Sequence, residues 1–387
     1  MPSVLASYGS NTTLYLTVLS VALPVLLLCL KMLFSRANKF PVAGRTIIIT
    51  GGSQGLGLSL ANKLAARGGN VVIVAREEGK LASALTEIKS HATSPNQRFL
   101  SLSYDLTLPE SAPAILKQVT EWNDGNPPDI VWCCAGYCIP GFFADIPIET
   151  LRSQMDTLYW TCAYVAHATL NLWKTPLGVH TADPSSSDSK SPFAAASKGA
   201  NPPLPPRHLI FTCSSLVCFP IAGYAPYTPA KSAMRALADS LQHEIALYNG
   251  CVQSTTTPAS QKPAAEIKLH TILPMGIFSP NFERESELKP SVTKMLEETD
   301  QPQTPEDVAD AAIRGVERGE IMVPTNLLSR LMVGAGRNAS LRQGLGEVLW
   351  NLLGSIVVVF VAWDFWSKTR RWGRERGLQT GPGVPNP

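Results

Sequence analysis

The 387-residue sequence has little charge of either sign in excess: 33 Lys and Arg against 30 Asp and Glu leave a formal +3. That balance, with no basic block interleaved with aromatics, counts against nucleic acid as a partner. The sequence also lacks any CxxC pair, and its eight cysteines are scattered, several inside apolar runs (Cys133, Cys134, Cys213). A zinc site or a disulfide framework is therefore not expected; no metal is assigned, and reduced core thiols in a cytosol-facing domain fit the pattern. The N-terminus has no charged side chain before Lys31 and no small-residue cleavage site. Both are needed for a secretory signal, so that reading is set aside.

Two apolar segments point to a membrane. LYLTVLSVALPVLLLCLKMLF, from Leu14 to Phe34, is long enough for about 30 Å of hydrocarbon, with Lys31, Arg36 and Lys39 at its C-terminal flank. The bias predicts an anchor whose N-terminus lies outside the cytosol and whose remaining chain lies inside. The second segment, Val348 to Trp363, is apolar but short, with Trp350, Trp363 and Trp366 near its ends and KTRRWGRER after it. Basic residues also precede it at Arg337 and Arg342, so a tilted span, a re-entrant hairpin with Leu327 to Val333, and a surface-lying helix all stay open. Asn11 and Asn338 begin formal N-x-[ST] acceptors, and glycosylation at Asn338 would require a luminal loop there.

Between these ends, strand-like runs alternate with helical patterns: 45–50, 70–75, 98–106, 129–136, 208–214 and 266–273. The runs are continuously β-branched rather than alternating, which means strands covered on both faces. The expected fold class is α/β, a Rossmann-like doubly wound parallel sheet with helices on both faces, plus an N-terminal transmembrane anchor and a C-terminal membrane-associated hydrophobic segment. The boundaries expected are 1–40 for the anchor and linker, 41–325 for the nucleotide-binding domain, and 326–387 for the hydrophobic segment and basic tail. Residues 174–207 and 250–265, rich in Pro, Ser, Thr and Ala, read as flexible insertions.

TGGSQGLG, Thr50 to Gly57, follows the first strand and opens a helix. Backbone N–H groups at such a turn suit a pyrophosphate, which makes Gly51, Ser53, Gln54, Gly55 and Gly57 candidate cofactor contacts. Arg76 ends the second strand where an acid would hold the ribose of NAD, and an arginine there suits the 2′-phosphate of NADPH. Lys80, one turn on, is a candidate second cation, with Glu77 and Glu78 expected to face solvent. Asp105, with Leu106 beside it, is placed after the third strand to reach an adenine, or else to cap the helix after TLPES.

The catalytic signal is GYAPYTPAKSAM. Tyr227 and Lys231 stand four residues apart, so they share one helix face, and Pro229 in the first turn removes no helical hydrogen bond. An ammonium near a phenol is expected to pull its pKa down from about 10. Ser214 ends the fifth strand thirteen residues before Tyr227. Ser215 is its rival, but successive strand residues face opposite ways.

Ser214, Tyr227 and Lys231 with the upstream glycine turn resemble the short-chain dehydrogenase/reductase family from residue 44 to about 325. The resemblance implies that Ser214 orients a carbonyl, Tyr227 gives its oxygen a proton, and Lys231 tunes Tyr227 and holds the nicotinamide ribose, making both also cofactor contacts. Ser279 and Pro280 match the family's loop for the cofactor carboxamide. Two departures stand out: CCAG replaces the commoner NNAG, and Leu158 occupies the place of a relay asparagine, with Asp156 facing elsewhere. Either a backbone carbonyl and water replace that asparagine, or the relay is weaker.

The anchor ahead of TGGSxG, the lysine four residues after VAR, SPNFERE after the sixth strand and the basic-flanked C-terminus resemble the branch of the family that reduces a sphingoid ketone with NADPH. That branch implies a long-chain lipid ketone substrate, a bilayer as partner, and an endoplasmic reticulum location with the catalytic domain in the cytosol. The same catalytic residues would also serve a steroid, retinoid or acyl ketone, and Leu158 keeps a cofactor-binding scaffold without activity open. Family members commonly pair through helices flanking the catalytic strand, which leaves a homo-oligomer open.

Overall fold

The structure is a computed structural model that describes residues 38–175, 204–258, 261–338 and 340–377. The expected N-terminal span from Leu14 to Phe34 and most of the first insertion lie outside the described residues. The chain divides into two compact units, Met1–Phe40 and Pro41–Pro387, and the second carries the fold below.

Strands β1 (Thr46–Thr50), β2 (Asn70–Ala75), β3 (Phe99–Ser103), β4 (Ile130–Cys133), β5 (Arg207–Thr212), β6 (Ile267–Leu273) and β7 (Met322–Pro324) form one parallel sheet in the order β3-β2-β1-β4-β5-β6-β7. Every residue of β1, β4 and β5 is buried, as continuous Ile/Val/Leu runs require when helices cover both faces. The first crossover helices are α1 (Gly55–Ala65), α2 (Glu78–Ser90) and α3 (Ser111–Trp122). After β4 come α4 (Ile148–Gln154), a π-helical stretch (Met155–Trp160) and α5 (Thr161–Lys174). After β5 comes α6 (Thr228–Gln253), and β6 leads into α7 (Pro280–Leu288), α8 (Ser291–Leu296) and α9 (Pro305–Glu317). Strand order reverses between β1 and β4, and ligands of open α/β sheets bind at the carboxyl ends of the strands at such a point.

Three expectations need correction. A seventh strand exists: Met322–Pro324 pairs with Thr271–Leu273 of β6, and three residues are too few to leave a periodic signal. The fourth strand stops at Cys133 because the next N–H groups leave the ladder: Cys134 and Ala135 both donate to the Thr50 hydroxyl, at 3.0 and 3.2 Å. The second insertion begins later than residue 250, because α6 continues to Gln253. Asn249 stitches that helix to β6, donating to the Ile267 carbonyl and accepting from its N–H, at 2.9 and 2.8 Å.

The C-terminal region is a helical hairpin of α10 (Leu327–Gly336) and α11 (Leu345–Arg376). The two helices cross at glycine: a side chain at Gly354 would collide with the Leu331 carbonyl, and one at Gly334 with that of Trp350. The apolar segment that reads as short is the core of a 32-residue helix whose most apolar 18 residues have a mean hydropathy of 2.0, the one helix among the described residues long and apolar enough to cross a membrane. Leu349, Leu352, Val359, Phe360 and Trp363 are exposed along it. Arg337 is turned inward, 2.7 Å from Glu347, so it adds no free charge ahead of the apolar stretch.

His208 on β5 and His270 on β6 stack at 5.2 Å with facing ring nitrogens 3.0 Å apart, and His270 Nδ1 lies 2.7 Å from the Glu320 carbonyl. Burial holds His270 down at about 4, and burial followed by the His270 neighbour holds His208 well below 6.5. The unfolded chain therefore takes up protons first as pH falls, so this contribution to stability is whole above about pH 6.5 and is lost towards pH 4. For His270 alone it is on the order of 3 kcal/mol. Denaturant titrations from pH 7 to 4.5 are expected to show this decline, and a His208→Gln/His270→Gln variant to flatten it.

Candidate active site

The carboxyl ends of β1, β4 and β5 bring the candidate residues together. Ser214 follows β5 in extended conformation, and its hydroxyl caps the short 3₁₀ turn Ser215–Val217, accepting from the Leu216 N–H at 3.2 Å. Both serines are buried and Ser215 donates its N–H to the Pro274 carbonyl, but the hydroxyl that acts on Tyr227 is that of Ser214. Tyr227 is the N-cap of α6 with Pro229 in the first turn, and the Lys231 N–H closes that turn on the Tyr227 carbonyl at 3.3 Å. Lys231 is 5% exposed; its ammonium donates to the Thr212 carbonyl at 2.8 Å and lies 5.9 Å from the centre of the Tyr227 ring.

The expected fall of the Tyr227 pKa is not what this arrangement gives. Burial pushes the phenol well above 10, the Cys138 and Glu285 neighbours add to this, and only the hydrogen bond with Ser214 acts downward to a notable degree. Lys231 lies 5.9 Å from the ring centre and donates one of its three N–H groups to the Thr212 carbonyl, so it acts on the phenol from the ring side. The consequence suits an acid: the phenol holds its proton at neutral pH until a further charge enters the site.

The glycine turn is a backbone cradle. Gly51 has φ +69°, and a Cβ there would lie 2.8 Å from Ala135 Cα, so only glycine fits between β1 and the loop after β4. The N-cap of α1, Gln54, makes no side-chain capping bond and no acid stands in the first turn, which leaves the helix end suited to an anion. Ser53 and Gly55 are half-buried in the same turn and Gly57 is buried in the first turn of α1. Gly55 approaches Ser279, the N-cap of α7, and Gln54 Nε2 sits 3.5 Å from Asn281 Oδ1. The residues present therefore fit a dinucleotide phosphate.

The remaining candidates divide. Arg76 is exposed at the end of β2, its carbonyl accepting from the Ser103 hydroxyl at 2.9 Å. Lys80 is exposed but paired with Glu77 at 2.8 Å, so Glu77 faces this lysine rather than solvent alone. Asp105 Oδ1 accepts from the N–H and hydroxyl of Thr107 at 2.9 and 2.8 Å, a local turn rather than a helix cap, because α3 begins at Ser111 with Glu110 as its N-cap. Although partial burial works upward, those bonds and the charge of Arg76 hold the Asp105 carboxyl below its usual range. Leu106 is a buried core residue. Leu158 is 1% exposed in the π-helical stretch, packed against Gly136, and offers no polar relay; Asp156 is exposed. Pro280 opens α7 behind the Ser279 cap.

Sequence reasoning missed five contributors. Thr50 pins the loop after β4, Thr212 receives Lys231, and Tyr224 with the Glu285–Lys289 pair stands beside Tyr227. The only sequence signals were a second tyrosine in GYAPY and the i,i+4 spacing of Glu285 and Lys289. Gly51→Val is expected to cost about 1–3 kcal/mol of stability from its positive φ. It should also abolish dinucleotide binding, as read by thermal melting and by cofactor fluorescence.

The sequence pattern of the family described as short chain dehydrogenase matches residues 45–179. A 3-ketodihydrosphingosine reductase of Aspergillus fumigatus is 47% identical over 350 residues, covering 90% of each chain. One of Neurospora crassa is 35% identical, covering 89% of this chain and 87% of its own. Among solved structures, a short-chain dehydrogenase/reductase of Burkholderia phymatum in complex with NAD superposes with a TM-score of 0.56 at 14% identity, covering 74% of this chain and 90% of its own. The chain belongs to the short-chain dehydrogenase/reductase family.

Proposed function

We propose that the protein reduces 3-ketosphinganine to sphinganine with NADPH, in sphingolipid synthesis at the endoplasmic reticulum membrane with its catalytic domain in the cytosol. The observation that carries this reading is the meeting of Ser214, Tyr227 and Lys231 beside the glycine cradle, in a chain 47% identical to a 3-ketodihydrosphingosine reductase along nearly its whole length. The Ser214 hydroxyl and the Tyr227 phenol converge where a ketone oxygen would sit, so both can bond it, and the protonated phenol can neutralise the developing alkoxide. Lys231 stabilises the phenolate that remains and, through its bond to Thr212, keeps a fixed position. Residues 51–57 would hold NADPH, with Arg76 available to its 2′-phosphate, and the bound cofactor would supply the hydride. The 32-residue helix α11 supports the membrane setting, where a long-chain ketone partitions at about 0.8 kcal/mol per buried CH₂.

Detergent-solubilised protein is expected to oxidise NADPH when given 3-ketosphinganine, with Tyr227→Phe reduced by about 10²–10⁴-fold. NADPH that binds without turnover of this ketone would sink the sphingoid assignment and move the search to steroid and acyl ketones. Arg76→Ala is expected to raise KM for NADPH about tenfold, the loss of one exposed charge-assisted contact, while leaving KM for NADH in place. Equal effects on both cofactors would remove Arg76 from the phosphate site.

A further inference from the structure

Beside Tyr227 lies a buried group that the reaction as described does not use. Tyr224, 3% exposed, points its hydroxyl at Glu285 Oε1 and Glu297 Oε1, 2.8 Å from each. A phenol has one proton to share between two carboxylate oxygens, so the two acids need a further positive charge. Lys289, 4% exposed, supplies it, 3.1 Å from Glu285 and 2.8 Å from Glu297. The same ammonium lies 4.5 Å from the Phe282 ring centre. These acids and the lysine come from α7, α8 and the turns that follow them, well apart in sequence from the catalytic helix.

The backbone shows what this cluster holds. The Tyr224 carbonyl accepts from the N–H groups of both Tyr227 and Thr228, at 3.0 and 2.8 Å, and so fixes the start of α6. The Tyr224 and Tyr227 rings are 6.1 Å apart. The two residues ahead are clamped as well: Thr293 donates to the Ala222 carbonyl at 2.9 Å, and Gly141 donates to that of Gly223 at 2.7 Å. Gly223, at φ +95°, lies so close to Thr293 that a side chain would collide with it. One end of Tyr224 is thus tied to the α7–α8 segment and the other to the turn that presents Tyr227.

We propose that Tyr224 and Lys289 are positioning residues for Tyr227: the cluster with Glu285 and Glu297 fixes where the phenol stands, and Lys289 fixes the charge in front of it. The groups facing Tyr227 are Cys138 from the loop after β4, Cys213 and Ser214 after β5, Glu285 from α7 and Lys231 on its own helix. Of these, Glu285 is the one whose charge Lys289 balances. The proposal rests on the reading of Tyr227 as proton donor, which Tyr227→Phe tests separately.

Tyr224→Phe keeps the ring and removes the shared proton. It is expected to lower kcat about tenfold to 10²-fold, the scale of a small misplacement, with KM, NADPH affinity and melting temperature unchanged. In parallel, ultraviolet difference titration of the parent against Tyr227→Phe reports ionisation of Tyr227 alone and needs no substrate, so it stands even if the ketone is wrongly assigned. Lys289→Met is expected to move that titration to higher pH, because the carboxylates lose their cation, while Lys289→Arg keeps it in place. Reduction requires the protonated phenol, so the activity of Lys289→Met should extend to higher pH by the same shift. Parental kcat in Tyr224→Phe, a kcat loss matched by loss of NADPH affinity or melting temperature, or identical titrations of Lys289→Met and Lys289→Arg would each overturn the proposal.

Discussion

The structure depends on β1, β4 and β5 being buried on both faces. Polar side chains along such strands are buried against fixed partners, Thr46 on Asn123 and His208 on His270, so groups free to meet a ligand collect where the strands end. Thr50, at the last position of β1, shows the constraint at work: its hydroxyl accepts the first two N–H groups that leave β4, and so closes the gap between β1 and β4 where strand order reverses. Gly51 follows directly and turns the chain into the cradle. Burial of the sheet, the turn of the glycine loop and the position of the site are one consequence of the same packing.

A lysine buried to 5% exposure in such a site needs a fixed acceptor, and the Thr212 carbonyl at the end of β5 provides one. That bond fixes the ammonium beside the Tyr227 ring, 5.9 Å from its centre. It also separates two things that sequence spacing merges. Residues four apart on a helix share a face, but Tyr227 at the N-cap is only entering the helix, so its side chain need not follow the face that carries Lys231. Ser214 then becomes the direct partner of Tyr227.

Much of this was legible in the sequence for a physical reason: continuous β-branched runs, a glycine turn and the Ser214, Tyr227, Lys231 spacing each follow from backbone rules that act locally. What was not legible depended on contacts between distant segments. Three-residue β7 exists because β6 offers it an edge, and Lys80 is drawn to Glu77 by a pairing that spacing alone does not choose over solvent. Tyr224 resembles any tyrosine until Glu285, Lys289 and Glu297 close around it from 61 residues away and more. The helix from Leu345 to Arg376 was read as a short segment because charged residues flank its apolar core, yet charge at a helix end does not stop the helix.

That helix is also long enough to cross a membrane. At about 1.5 Å per residue its 32 residues reach roughly 48 Å, more than a hydrocarbon core requires. It is not a free tail: glycine at Gly334 and Gly354 lets it lie against α10, and α10 in turn packs on the 3₁₀ turn after Ser214. Phe365 meets Phe219 edge-on at 5.4 Å, five residues beyond Ser214. The exposed apolar side chains of α11 are therefore held in a fixed relation to the end of β5 that carries Ser214. Anything that packs on those exposed side chains bears on the same set of contacts that orders the turn after Ser214, because Gly334, Gly354 and the Phe219–Phe365 pair join the two.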